Sequence, residues 1–253
     1  MTTAYFGDSD FAADLAEKAG ALLLDLQASS GLTGKELGKA GDARSNELLL
    51  GLLAAGRPDD AVLSEESADS AARLSADRVW IIDPLDGTRE YGMTGRSDWA
   101  VHVALWERNA PGSAITAAAV AQPALSTVYA TDRTSGTTVD RDHPVFLVSD
   151  SRPPEFAATV AHVFHAELRP MGSAGAKAMA VVRGDADAYL HAGGQWEWDS
   201  AAPVGVALAA GLHASRIDGS TLTYNAAHPY LPDLLICRAD LAAPLLAAIA
   251  AVS

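Results

Sequence analysis

A chain of 253 residues, 49% of them apolar, is long enough to bury a substantial core in one large domain or in two tightly packed lobes. Its formal net charge of −14 argues against nucleic-acid backbones and anionic membranes as partners, which need a basic surface. It leaves room for a small phosphate ester, because divalent cations held by acidic side chains reverse the local field. The single cysteine, Cys237, excludes an internal disulfide and a cysteine-built zinc site, and it reads as a packed core thiol. With no charged-then-apolar leader and no apolar run near the ~20 residues that span a bilayer, the cytoplasm is the expected location.

Residues 8–28 place Phe11, Leu15, Ala19, Leu22, Leu23 and Leu26 at three-to-four spacing, which predicts an amphipathic first helix. Residues 31–41, with four glycines and with Lys35 and Lys39, read as a flexible basic loop. Asp42 then reads as the cap of a second helix over about 43–55, buried along Leu48, Leu49, Leu52 and Leu53. A short strand in 61–67 runs into Glu65 and Glu66. A second apolar run, 79–82, is β-branched or aromatic and predicts a buried strand that delivers Asp83 and Asp86 to a tight turn. There Pro84 withholds an N–H from the ladder and Gly87 permits a φ that other residues resist. Carboxylates this close repel and lose water, so a bound cation or a shared proton is expected. If the two strands are neighbours, one of the glutamates meets both aspartates.

Residues 99–108 alternate as a strand, and 115–132 read as a hairpin interrupted at Gln122 and Pro123. His102, inside the first of these, reads as a satisfied core histidine. A polar turn at 140–143 divides the chain into expected lobes of 1–143 and 144–253. In the second lobe a strand begins at Val145, and 169–191 give a turn, a helix from about 173 to 183, and a further strand. Gly172 and Ser173 at the helix start suit an anion, with Lys177 one turn along; lacking the sequence around a Walker lysine, they suit ordinary capping equally. Asp199 opens an alanine-rich helix ending at Gly211, where an N-cap role suffices locally. Short strands over 214–238 and an apolar helix over 239–251 close the chain.

Glu65, Asp83, Asp86 and Asp199 offer hard oxygen ligands without an accompanying histidine or cysteine pattern, a set that suits Mg²⁺ rather than zinc. No His-Glu-x-x-His array supports a zinc hydrolase, and no Gly-x-Ser-x-Gly elbow supports a serine hydrolase. A phosphoaspartyl mechanism wants acids two residues apart; Asp83 and Asp86 are three apart. Metal-activated water attacking a phosphate ester is what remains.

The segment Trp80-Ile81-Ile82-Asp83-Pro84-Leu85-Asp86-Gly87-Thr88, preceded by Glu65-Glu66-Ser67 and followed by Trp198-Asp199-Ser200-Ala201-Ala202, resembles the inositol monophosphatase-like superfamily of lithium-sensitive, Mg²⁺-dependent phosphatases. Both family signatures, W-x-x-D-P-x-D-G-T and W-D-x-A-A, are present in order, and the similarity runs from the first helix to the last. The resemblance implies a layered αβαβα sandwich with metals between two lobes. It implies that Glu65, Asp83 and the Leu85 carbonyl hold a first metal, that Asp83, Asp86 and Asp199 hold a second, and that Asp42 reaches a weaker third through water. It further implies that Glu65 and the Thr88 hydroxyl orient the attacking water, with Thr88 linked to Asp42, and that the Gly87 and Thr88 N–H groups bind the phosphate.

Arg89-Glu90-Tyr91 after the Gly-Thr pair is similar to the CysQ-type bisphosphate nucleotidase branch, which commonly has a basic residue, Glu and Phe there. Gly172-Ser173 with Lys177 resembles that branch's Gly-Ser-x-x-Lys, with one residue more between serine and lysine. The implied reaction is hydrolysis of 3′-phosphoadenosine 5′-phosphate to AMP and phosphate, with Arg89, Lys177, Gly172 and Ser173 as substrate contacts. Two or three Mg²⁺ ions, inhibition by Li⁺, a homodimer and a role beside sulfate assimilation are implied with it. Inositol monophosphatase or fructose 1,6-bisphosphatase activity is the alternative within the superfamily, and a nucleotide-binding regulator is the alternative outside enzymes.

Overall fold

The computed structural model describes residues 7–112 and 114–252. The first helix, α1 (Asp8–Ser29), buries the periodic stripe from Phe11 to Leu26. The second, α2, runs Gly34–Gly56, so the flexible loop expected over 31–41 is corrected: Lys35, Lys39 and Asp42 all lie within the helix, and Asp42 does not cap it. The glycines that suggest a loop are instead a packing face. A Cβ on Gly38 would stand 2.7 Å from Thr88 Cγ2, and one on Gly41 would stand 2.8 Å from Leu85 Cδ2 and 2.9 Å from Tyr91 Cε1. One turn further along, Ser45 Oγ donates to the Pro84 carbonyl at 2.7 Å. Small residues here let the helix press on the 83–91 segment, at the cost of helix propensity.

Strand β1 (Ala61–Ser64) lies parallel to β2 (Arg78–Asp86), with Ser64 beside Ile82, so Glu65 and Glu66 leave the sheet next to Asp83. Antiparallel to β2 run β3 (Ala100–Glu107), then β4 (Ile115–Gln122) and β5 (Thr127–Ala130), giving one sheet in order β1-β2-β3-β4-β5. The β2–β3 register breaks between Asp83 and Asp86, across the proline that cannot donate to the ladder. After Gly87 (φ +86) the chain makes one helical turn, α3 (Thr88–Tyr91).

The second sheet has the order β7-β6-β8-β10-β9, from β6 (Val145–Ser149), β7 (Glu167–Met171), β8 (Ala188–Trp196), β9 (His213–Ser215) and β10 (Tyr230–Cys237). Between the sheets lie α5 (Ala174–Val182) and α6 (Glu197–Ala209); outside the second sheet lie α4 (Ala157–Val163) and α7 (Ala242–Ala250). Strand alternation makes three cores of these layers. Trp80 and Ile82 face α1 and α2, Val79 and Ile81 face the central helices, and Phe146, Leu190, Leu235 and Cys237 face α4 and α7. The result is the expected αβαβα sandwich.

Alanine in an exposed helix gains about 1 kcal/mol over glycine. Gly41→Ala should instead lose about 1–3 kcal/mol to overpacking against Leu85 and Tyr91. Urea unfolding measures the sign, and a stabilised variant would contradict the close packing.

Candidate active site

The Asp83–Thr88 turn places two carboxylates in opposite electrostatic settings. Asp86 is buried and accepts from Ser173 Oγ, from Ala174 N–H at 3.1 Å and from Gly175 N–H at 2.7 Å. These donors are the N-terminus of α5, so the helix end that was expected to receive a substrate anion holds Asp86. His102 Nε2 stands 3.2 Å from Asp86 Oδ2 as an ion-pair contact, and Nδ1 faces the Trp198 carbonyl at 3.0 Å. The Trp198 carbonyl can only accept, so Nδ1 carries a proton, while Nε2 meets Asp86 as a charge contact without hydrogen-bond geometry. Burial opposes a charge on the ring, but the Asp86 charge and these contacts raise the His102 pKa. Burial likewise pushes Asp86 upward, yet His102, Ser173 and Lys177 hold it at about 2.

Asp83 is as deeply buried, and among the described residues no ion pair to it is found. Its Oδ1 accepts from the Leu85 N–H at 3.0 Å, while burial and the charges of Glu65, Asp86 and Asp199 push it well above the carboxylate range. Asp199 sits in the first turn of α6, where it accepts the Trp196 N–H at 2.6 Å; burial and the Asp86 charge raise it to about 6. Oxygens of Asp83, Asp86 and Asp199 lie within 4.8 Å of one another. Glu65, although its residue surface is open to solvent, has its carboxyl crowded by protein, and that burial with the Asp199 charge pushes it up to about 7. A cluster of hard oxygen donors whose charges are opposed by burial and by one another fits a divalent cation of the Mg²⁺ type.

Thr88 Oγ1 lies 3.1 Å from both Asp42 Oδ1 and the Leu85 carbonyl. Both can only accept from it when Asp42 is ionised, so its hydroxyl proton points inward. Burial and the Glu66 charge raise Asp42 to about 6. Gly87 packs tightly: a Cβ there would meet the Asp98 carbonyl at 3.1 Å.

The cluster opens on a cleft of about 310 Å³ lined by both sheets. Arg89 lines it with its guanidinium already paired, to Glu90 at 2.5 Å and to Asp150 at 2.5 and 2.6 Å. Lys177, buried, donates to the carbonyls of Met171, Gly172 and Ser173 at 3.3, 3.2 and 2.6 Å. Burial lowers it to about 8. The Gly172 N–H is taken by Asp98 Oδ2 at 2.8 Å. Of the sequence-predicted residues, Asp86, Thr88, Arg89, Gly172, Ser173, Lys177 and Asp199 line this cleft, with Asp83 beside Asp86 and Asp199 and Asp42 behind Thr88, but these polar groups of Arg89, Gly172, Ser173 and Lys177 already have partners within the chain. His102 is buried in the core, as expected, and from there it also supports Asp86, a role whose one signal in the sequence is a titratable side chain within an apolar strand. Its approach requires Gly175, where a Cβ would stand 2.1 Å from Nε2.

A five-layered α/β sandwich with an acidic, hard-donor cluster at the junction of its sheets defines the class. The chain belongs to the inositol monophosphatase family, whose model matches residues 9–250. It is 56% identical over 252 residues to the 3′-phosphoadenosine 5′-phosphate phosphatase of Mycobacterium leprae, covering 96% of this chain and 93% of that protein. The 3′(2′),5′-bisphosphate nucleotidase CysQ of Salmonella typhimurium is 29% identical over 204 residues, 76% of this chain and 81% of the relative. Among solved structures, Mycobacterium tuberculosis SuhB superposes with a TM-score of 0.72 at 26% identity, over 96% of this chain and 95% of the other.

Removing the Asp86 counter-charge by His102→Ala should cost about 3 kcal/mol in urea unfolding without added metal; a loss near zero would mean that the α5 donors suffice. Stability should also depend on pH through the raised acids Asp42, Glu65 and Asp199. When both states are fully protonated these groups contribute nothing, and the folded state loses stability as pH climbs from about 4, where the unfolded acids ionise, through about 7. Thermal melts should therefore show greater stabilisation by millimolar Mg²⁺ at about pH 8 than at about pH 5. An equal or larger effect at the lower pH would contradict the assigned carboxylates.

Proposed function

We propose that the chain is a Mg²⁺-dependent phosphomonoesterase that hydrolyses 3′-phosphoadenosine 5′-phosphate to AMP and phosphate. The observation that carries this reading is the 56% identity, over nearly the whole chain, to a protein of that name, together with the acidic cluster facing the cleft. Glu65, Asp83 and the Leu85 carbonyl would hold one ion and Asp83, Asp86 and Asp199 a second, with Asp42 toward a third through water. When bound, such ions polarise the phosphate and acidify a water.

The chain's own groups do the rest. Because the Thr88 hydroxyl donates to Asp42 and Leu85, its lone pairs are left to accept from a water and aim it. Glu65, at the edge of the same cluster, would orient that water together with Thr88. The Gly87 and Thr88 N–H groups, at the unpaired start of a helical turn, would bind the phosphate oxygens. Inhibition by Li⁺, a homodimer and a cytoplasmic role in clearing the by-product of sulfate assimilation belong to the same proposal.

Phosphate release from 3′-phosphoadenosine 5′-phosphate, inositol 1-phosphate and fructose 1,6-bisphosphate, with Mg²⁺ and with added Li⁺, tests it. The nucleotide should be preferred and its turnover lost with Li⁺. Asp83→Asn should abolish turnover in a folded protein, and Thr88→Ala should lower kcat about 10²–10⁴-fold. Preference for inositol phosphate would replace the substrate, and full activity of Asp83→Asn would overturn the metal role.

A further inference from the structure

A substrate with two phosphates needs a second anion subsite in the cleft, away from the acidic cluster. The basic side chains lining the cleft are Arg89, Arg152, Lys177 and His191. Arg89 is neutralised by Glu90 and Asp150, and the Lys177 ammonium is spent on three carbonyls. His191 faces the Gly194 carbonyl at 3.1 Å, and burial lowers it to about 4, so it is neutral at physiological pH. Arg152 differs from all three. It is exposed, and among the described residues its guanidinium has no ion pair and no hydrogen-bond partner; only its backbone N–H is engaged, to Ser149 Oγ at 3.2 Å.

A second observation comes from Gln195, which lines the same cleft. It is 7% exposed, and its Nε2 has no hydrogen-bond partner among the described residues. A buried amide donor left unpaired is costly, and a ligand acceptor would relieve it. The fold explains why the two groups share a wall. Arg152 follows β6 and Gln195 is the last residue but one of β8, and these strands are parallel, so their C-terminal ends lie at the same edge of the second sheet. Asp83 and Asp86 come from the first sheet, on the other side.

We propose that Arg152 and Gln195 form the subsite for the phosphate that is retained, and so select a nucleoside bisphosphate over a monophosphate. The inference rests on the functional reading above, and it moves second-phosphate recognition from Arg89 and Lys177 to the second sheet. The planar guanidinium fork suits a phosphate, and the amide N–H adds a directed donor.

Steady-state kinetics of the full chain with Mg²⁺, on 3′-phosphoadenosine 5′-phosphate and on adenosine 3′-phosphate, tests it. In Arg152→Ala, KM for the bisphosphate should rise about tenfold or more, with kcat within about twofold and the monophosphate little affected. Arg152→Lys should recover only part of the loss, and Gln195→Ala should shift KM in the same direction by less. Arg89→Ala should change the bisphosphate KM less than Arg152→Ala does. An unchanged bisphosphate KM in Arg152→Ala, equal losses on both substrates, or a larger effect at Arg89 would overturn the subsite and leave the functional reading standing. No release from the bisphosphate by the unmodified chain would overturn that reading, and the subsite with it.

Discussion

The contact between the Asp86 carboxylate and the start of α5 is the constraint on which the rest of the site depends. It ties the end of a strand in the first sheet to the central helical layer, with the Ser173 hydroxyl, two backbone N–H groups and His102 converging on one carboxylate. Asp86 is thereby a fixed anion. Asp83, three residues earlier on the same strand, has no such support and is left facing Glu65 and Asp199. One short segment therefore carries one acid neutralised by the protein and one that a bound cation must neutralise. This asymmetry is what suits the cluster to a metal ion rather than to a buried hydrogen-bond network.

Support from the opposite side comes from α2. Its face of Gly38, Gly41 and Ser45 lets the helix touch Thr88, Leu85 and Pro84 directly, and Asp42 from the same helix reaches the Thr88 hydroxyl. The turn is thus clamped between two helices, and its ligand-bearing groups sit on rigid elements rather than on a mobile loop. The cleft wall on the second sheet is organised differently, with charges partly paired among themselves and Arg152 left open to solvent.

Local pattern made most of the fold legible. The β-branched and aromatic run at 79–82, the N–H withheld from the ladder at Pro84 and the three-to-four spacing of α1 all follow from residue chemistry close in sequence. The N-terminal half of α2 did not, because glycines that serve close packing look the same as glycines that serve a turn, and only the partner surface at Leu85 and Thr88 distinguishes them. The acids were legible as a set because each follows a strand or opens a helix. Which donor each one meets was not: the helix end at Gly172 and Ser173 was recognisable as an anion holder, but its anion came from 86 residues upstream of Gly172, in Asp86. Arg152 and Gln195 have no local signature at all, and His102 has only its titratable ring within an apolar strand, since their roles arise from sheet pairing and from the partners their neighbours have already taken.

The central layer has a consequence for how the chain matures. The helices that complete the cluster, α5 and α6, come from its later part, whereas the turn they complete is made by residues 83–88. On the ribosome, where the N-terminal portion emerges first, the first sheet has one face without its covering helices and Asp86 is without its donors until α5 appears. Asp199 follows later still. The acidic cluster is therefore a late product of synthesis, complete only when α5 and α6 have packed against the first sheet.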